Sequence, residues 1–507
     1  MPPLERQYAF EDKKVYYGDI HNHCGLSYAH GTFEEAIRNA QLQLDFTSVT
    51  LHAVWPDMPE EDKRLDYLIK FHKEGFTKAF KNWPKYCDQV EQYNQEGNFV
   101  IFPSYEWHSN YFGDHCIYYK NSLNTSILTA NNLNDLRREI INGPQPGLLI
   151  PHHIGYKQGY RGINWGTFTS EITPVVETFS FHGSSESSEG PYPYLHTMGP
   201  RNGKNCAQYG WSLGYLFGVI GSTDHHNAFP GSYGYGRLGI WSESLTRDAL
   251  WSAIKSRHTY ALTGDLINLQ FSLNKVMMGD ICAANPRRDI EVSVYGGDSI
   301  DYIEVLRNNQ VIHKECPYLQ PKSAEKYKVY LELGWGELPQ DTTWNVDFQV
   351  EGGTIKNVEP RFRGFGSQGN PFANNYAYTS WERKSANQIQ FSTRTRPNIS
   401  LHTPSTEGIS CEIEGNLSTQ IIAIINNKTY HLTLADLKDG TQTYYLDGFV
   451  SPAICFHRAV PEKEYTHHFE FSHQIKSPQR DWYYIRVRQK NNQWAWSSPI
   501  WINPVDE

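Results

Sequence analysis

The chain has 507 residues, and 46 Lys and Arg against 55 Asp and Glu leave a formal net charge of −9 with histidine neutral. That balance excludes a basic nucleic-acid groove, and 14% aromatic with only 20% charged residues excludes disorder as the main state. Eight cysteines without a CxxC pair exclude a disulfide scaffold or zinc knuckle; with no signal-peptide h-region and no run of about 18 apolar residues, the chain reads as cytoplasmic without a membrane partner.

In chain order, VYYGDI, TFEEAIRNAQLQL and FTSVTL alternate strand and helix patterns, as βαβ units do. Thr32 and Glu35 form a capping box ahead of the stripe Phe33, Ala36, Ile37 and Ala40. Residues 57–97 are charged and aromatic and predict a helical excursion over the mouth of the fold. FVIFPSYE, DHCIYYK, GLLIPHH, VVETFSF and FGVIGSTD predict further strands, with the helix NDLRREIING closing at Gly143. After TRDALWSAIKSRHTYALTG the pattern turns to alternating strands, including IEVSVYG, IDYIEVLRN, KVYLELGW and WNVDFQV, ending in WYYIRVRQ and WSSPIWI around an Asn-Asn turn. The expectation is an α/β domain over 1–265 and a β-sandwich region of one or two units over 266–507, with a Gly/Asn-rich loop at 364–375.

Of the 21 histidines, 14 fall in residues 1–265 and 7 beyond, so the N-terminal half carries the enrichment. They close the apolar runs, where parallel α/β folds gather their active sites. The first strand ends on Asp19, His21 and His23, and the next on His52; later runs end on Glu106, on His152 and His153, and on Asp224, His225 and His226, while His115 opens its run. Residues i and i+2 of an extended segment project to one side, so His21 and His23, or Asp224 and His226, can grip one ion. A carboxylate such as Glu106 can bridge two cations. Imidazole and carboxylate without thiolate favour zinc, manganese or iron.

GDIHNHCGLSYAHGTFEEAIRNAQLQLDFTSVTLH resembles the first two motifs of the PHP (polymerase and histidinol phosphatase) superfamily, and Glu106, His115, His152 and GSTDHH resemble the rest, in order, across roughly residues 15–265. The C-terminal half makes the large bacterial branch of unknown function the nearest likeness. The resemblance implies a distorted, TIM-like (β/α)7 barrel holding two or three divalent ions and hydrolysing phosphate esters. It assigns His21, His23, Glu106 and Asp224 to a first ion, Glu106 bridging to a second, with His226, His52, His115 and His152 completing the second and third sites. Two positions depart from the pattern: the family's Thr-Asp-His is Thr50-Leu51-His52, and His30 stands one residue late for the ligand after the first HxH. In the His152-His153 pair, His152 is favoured as ligand and His153 as substrate or supporting residue.

The mechanism expected is in-line attack on phosphorus by a water that bridging ions acidify, as in a phosphomonoesterase or phosphodiesterase acting on a small phosphorylated substrate. Glu106 and Asp224 stand as catalytic carboxylates, with His182 and His153 as candidate acid or substrate contacts. Lys157, Arg161, Arg201, Lys204 and Arg237 lie in Gly-rich loops where a cation could clamp phosphate, and His108 shares the i, i+2 spacing with Glu106. His72, His196 and His258 have no such context and read as surface or core residues. The competing readings are a metallo-hydrolase of carbon esters or amides, and a non-catalytic metal or glycan-binding protein.

Overall fold

The computed structural model describes residues 9–10, 12–188, 192, 201–317, 324–336, 340–364, 379–396, 406–448, 451–475 and 480–502. His196 and nearly all of the 364–375 loop lie outside the described residues. No helix among the described residues is long and apolar enough to cross a membrane.

The N-terminal half is built from β1 (Lys13–Asn22), α1 (Phe33–Gln41), β2 (Phe46–Val54), α2 (Asp66–Tyr93), β3 (Ser104–Trp107), β4 (His115–Tyr119), α3 (Leu133–Ile141), β5 (Gly147–Pro151), β6 (Val175–Ser180), α4 (Ala207–Leu213), β7 (Gly218–Gly221), β8 (Arg237–Ser242), α5 (Arg247–Lys255) and β9 (Thr259–Leu262). α1 starts at the expected capping box: the Thr32 hydroxyl accepts from the Glu35 N–H at 3.1 Å, and the Glu35 carboxylate from the Thr32 N–H at 2.8 Å. Its stripe Phe33, Ala36, Ile37 and Ala40 packs into one core with Val49, Tyr86 and Val90, so α2 lies against β2.

The strands form a mixed, sheet-rich arrangement rather than the all-parallel one expected. β1 pairs parallel with β2, β2 with β3, and β6 with β7, whereas β3/β4, β4/β5, β8/β1 and β8/β9 are antiparallel. The link from β3 to β4 covers only residues 108–114, too short for the crossover a parallel neighbour needs. β1 to β5, β8 and β9 lie on one continuous strand path, and an isolated parallel bridge from Asn22 to His225 brings the residues after β7 to the end of β1.

Beyond residue 266 the strands used below are β10 (Asn268–Leu273), β11 (Arg287–Tyr295), β12 (Ile300–Arg307), β13 (Gln310–Glu315), β14 (Lys326–Gly334), β15 (Thr342–Glu351), β16 (Thr354–Pro360), β17 (Ser380–Ser385), β18 (Gln388–Thr395), β19 (Thr406–Glu414), β20 (Gln420–Ile425), β21 (Lys428–Thr433), β22 (Thr466–Gln474), β23 (Asp481–Gln489), β24 (Trp494–Ser497) and β25 (Ile500–Ile502). One sheet contains β16-β19-β14 and another runs β17-β18-β15-β20-β21; their alternating apolar residues share one core, including Val329, Leu331, Val346, Phe348, Ile409 and Ile421. A further sheet contains β10-β11-β22. The terminal strands return to the N-terminal half: β24 pairs with β9, and β23 joins β24, β25 and β12. Val15, Tyr17 and Tyr260 consequently share a core with Val292, Ile485 and Ile502.

Candidate metal centre

Buried polar side chains converge where β1, β2, β3, β5 and β7 end. Alternation along β1 puts His21 and His23 on one face, and both are fully buried. Asp19, on the same face, serves the backbone instead: its carboxylate accepts from the N–H groups of His21 and Thr223 at 3.2 and 3.1 Å and from Gly231 at 2.8 Å. It thereby holds the β7 exit against β1.

The imidazole nitrogens are oriented by partners on their outer sides. His21 Nδ1 lies 2.9 Å from Glu177 Oε2, His23 Nδ1 2.7 Å from the Thr50 carbonyl, and His226 Nδ1 2.8 Å from the Asp224 carbonyl. Each outer acceptor places the proton on Nδ1 and leaves Nε2 as a lone pair facing inward. Yet His21 Nε2 and His23 Nε2 sit 3.2 Å apart, as do His52 Nε2 and His226 Nε2. Nitrogens bound to one zinc at roughly 2.0–2.1 Å in tetrahedral geometry lie about 3.3 Å apart. Asp224 Oδ1 completes the first group at 2.9 Å from His23 Nε2 and 3.5 Å from His21 Nε2.

Glu106 stands between the groups. Its Oε2 is 2.6 Å from His52 Nδ1, 3.8 Å from His23 Nε2 and 4.0 Å from His21 Nε2; its Oε1 is 2.7 Å from His152 Nε2 and 3.1 Å from His108 Nδ1. The contact of Glu106 Oε2 with His52 Nδ1 lacks hydrogen-bond geometry, so both buried atoms are without a hydrogen-bond partner. Burial pushes the Glu106 carboxyl up, but His108, His52 and His152 outweigh it and hold it well below the usual range. Asp224, facing His21, His182 and His23, and Asp114, beside Arg161 and His108, are held low against burial in the same way. Arg161 pairs with Asp114, whereas Glu106 and Asp224 have imidazoles as their partners. His152 and His226 are pulled down to about 3 and about 4, chiefly by burial, so they present as neutral ligands. Donor types and lone-pair directions thus fit divalent ions held by His21, His23 and Glu106, with Asp224 Oδ1 beside them, and by His52, Glu106 and His108.

Other expected residues line the same cluster. His182 bridges Asp224 Oδ2 and the Tyr156 hydroxyl, at 2.8 Å each. His153 places Nε2 3.2 Å from Asp114 Oδ2, and its ring centroid is 4.8 Å from that of His182. His153 (φ 32°) and Asp224 (φ 54°) both adopt left-handed backbone, a costly conformation for residues other than glycine that clusters at functional sites. Arg161 bonds Asp114 and lies 5.3 Å over the Trp55 ring. His30 donates its backbone N–H to the His226 carbonyl, tying the loop after β1 to the loop after β7.

Several expectations are corrected. His115 directs Nδ1 to the Gly113 carbonyl at 2.9 Å and packs near Trp107, while strand alternation turns its neighbour Cys116 toward His21 and His152. Arg237 is fully buried on β8 and donates to the Gly231 carbonyl and to Gln43 Oε1, so it braces the 227–236 loop rather than meeting substrate. Arg201 is spent on the Ser184 carbonyl at 2.5 Å. Lys157, in a loop above the Tyr160 ring, and Lys204, in the short 3-10 helix Gly203–Asn205, are exposed. His72, buried and bonded to the Leu68 carbonyl, and His258, paired with Asp280 at 2.9 Å, are core or surface residues as expected.

Asp114, Glu177, Cys116 and Tyr156 belong to the cluster but were not singled out in the sequence. The signal for Glu177 was present, since a carboxylate inside the apolar run VVETFSF must find a buried partner.

No family model matches the chain. A stretch of 187 residues is 27% identical to an uncharacterised protein of Chlamydia pneumoniae, covering 34% of this chain and 30% of that protein. Over 173 residues the chain is 28% identical to an uncharacterised protein of Chlamydia trachomatis, covering 31% of this chain and 28% of that one. The match thus spans under a third of these relatives' length. Among solved structures, the chain is similar to a two-domain protein of Bacteroides vulgatus containing a predicted PHP-like metal-dependent phosphoesterase, at 11% identity and a TM-score of 0.35 over 85% of this chain and 99% of that one. So distant a likeness carries no argument about function.

Proposed function

We propose that the chain is a metal-dependent hydrolase of phosphate esters, using two or three divalent ions of manganese, zinc or iron on a small phosphorylated substrate. The observation that carries this reading is the buried pair Glu106 Oε2 and His52 Nδ1, 2.6 Å apart without a hydrogen bond, at the junction of two ligand sets that share Glu106. Shared carboxylates of this kind hold neighbouring ions, which when bound acidify water and neutralise charge on a phosphoryl group.

The chain's own residues supply positioning and proton handling. Glu177, Thr50 and the Asp224 carbonyl hold the imidazoles of His21, His23 and His226 in the ligating tautomer. Arg161, fixed by Asp114 at the rim, offers a cation to the substrate phosphate. The Tyr156–His182–Asp224 chain of hydrogen bonds can relay a proton to a leaving oxygen, and His153 stands beside His182 for the same task. The superfamily's distorted barrel remains our reading of the strands around the cluster, with 1–265 as the catalytic domain. The C-terminal β region would brace it, since Phe362 and Arg363 bond the backbone of Tyr233 in the loop that carries Asp224.

The test is elemental analysis of the purified chain together with turnover of chromogenic phosphomonoester, phosphodiester and carboxyl ester substrates. The reading predicts about two or more equivalents of tightly held metal, with phosphoester hydrolysis lost to chelation and restored by manganese or zinc. Less than about one equivalent after reconstitution, with no phosphoester turnover, refutes it.

A further inference from the structure

The histidines beyond residue 265 show no pattern in the sequence, but the fold assembles two of them. Among the described residues, β13 pairs only with β12, and β22 only with β11, so each is an edge strand, and they belong to different sheets. His313 and Glu315 share one face of β13 by their i, i+2 spacing. His467 stands on β22 near them. His313 Nε2 is 2.7 Å from Glu315 Oε1 and His467 Nε2 is 3.3 Å from Glu315 Oε2, so one carboxylate gives an oxygen to each imidazole. Phe469 packs against both rings, 5.4 Å from His313 and 5.8 Å from His467, and Phe471 stacks on His313 at 4.3 Å. The side chains are 26% (His313), 32% (Glu315) and 20% (His467) exposed, open to an ion from solvent yet held in place.

We propose that His313, Glu315 and His467 form a second divalent transition-metal site, made by elements other than those of the candidate centre, which staples the edge strands β13 and β22 together. Two ligand atoms on one zinc at about 2.1 Å in tetrahedral geometry stand about 3.4 Å apart, so each imidazole–carboxylate separation needs a side-chain adjustment of under about 0.7 Å. Two imidazoles with a carboxylate suit zinc, nickel, cobalt or copper(II) and disfavour magnesium and calcium. An ion here would close two unpaired sheet edges against each other. Two neutral imidazoles each donating Nε2–H to Glu315 would hold the same groups without an ion, and a zinc count separates these cases.

The experiment strips the full-length chain with chelator, reloads it with excess zinc, removes unbound metal, and counts zinc in the wild type and in His313→Ala, His467→Ala and Glu315→Gln. The proposal predicts about one equivalent fewer in each variant and a smaller zinc-induced rise in melting temperature, with magnesium and calcium unable to substitute. Glu315→Gln keeps the side-chain shape, so its result stands if an alanine variant misfolds. Equal zinc counts in the wild type and all folded variants overturn the proposal. The outcome is independent of the phosphoesterase reading, because His23→Ala should keep this equivalent whether or not the chain turns over a phosphate ester.

Discussion

Glu177→Gln tests how the candidate centre is oriented. Glu177 Oε2 accepts from His21 Nδ1 at 2.9 Å, both residues lie within 2% of full burial, and burial lifts the Glu177 carboxyl to about 7. The amide keeps the shape and one acceptor but removes the charge that makes His21 a better ligand and can present N–H where the ring needs an acceptor. Loss of such an outer partner weakens metal binding by about 10–100-fold, or about 1.4–2.8 kcal/mol. The metal-free protein should be no less stable, since the change removes a carboxylate that is costly to bury. Chelator competition gives the dissociation constant, and thermal melts of the metal-free forms give stability. An affinity within about twofold of wild type would refute the orienting role, as would a lower melting temperature with unchanged affinity.

Glu106→Gln removes the carboxylate shared by both ligand sets, and turnover with metal bound should fall by more than about 100-fold with loss of at least one ion, read by steady-state assay and elemental analysis. Arg161→Lys keeps the charge but not the planar fork, so KM for phosphate esters should rise by about tenfold with kcat little changed. Remote from the cluster, burial pulls His457 down, but hydrogen bonds to Cys455 and to Glu332 at 2.7 Å outweigh it and raise it to about 9. The folded state therefore binds this proton more tightly, and the pair's stabilisation is present below about pH 6.5 and fades as pH rises through about 9. Denaturant unfolding of wild type and His457→Ala should differ near pH 6 and converge above about pH 10; a constant difference would contradict the assignment.

The ligands legible in the sequence were those whose placement follows from one strand. His21 and His23 share a face because strand side chains alternate, and Glu106 and Asp224 come at strand exits whose apolar runs mark them. The same alternation misdirected His115, because the register of β4 turns Cys116 inward. Asp114 escaped notice because it meets Arg161 and His153 only through the short antiparallel turn from β3 to β4, where a parallel crossover was expected. Arg237 misled for a related reason: as a loop cation it suited phosphate, but β8 carries it beneath the 227–236 loop, where it donates to the Gly231 carbonyl and to Gln43. Long-range pairings of this kind leave no periodic trace in a single sequence. His313 and His467, more than 150 residues apart, show the same limit.

An anomalous-scattering map of crystals grown with manganese or zinc tests the central claim most directly. The account predicts peaks bounded by His21, His23, Glu106 and Asp224 and by His52, Glu106 and His108, with Glu106 touching both. A map without peaks there, or a folded His23→Ala variant that keeps every ion of the cluster, would contradict it.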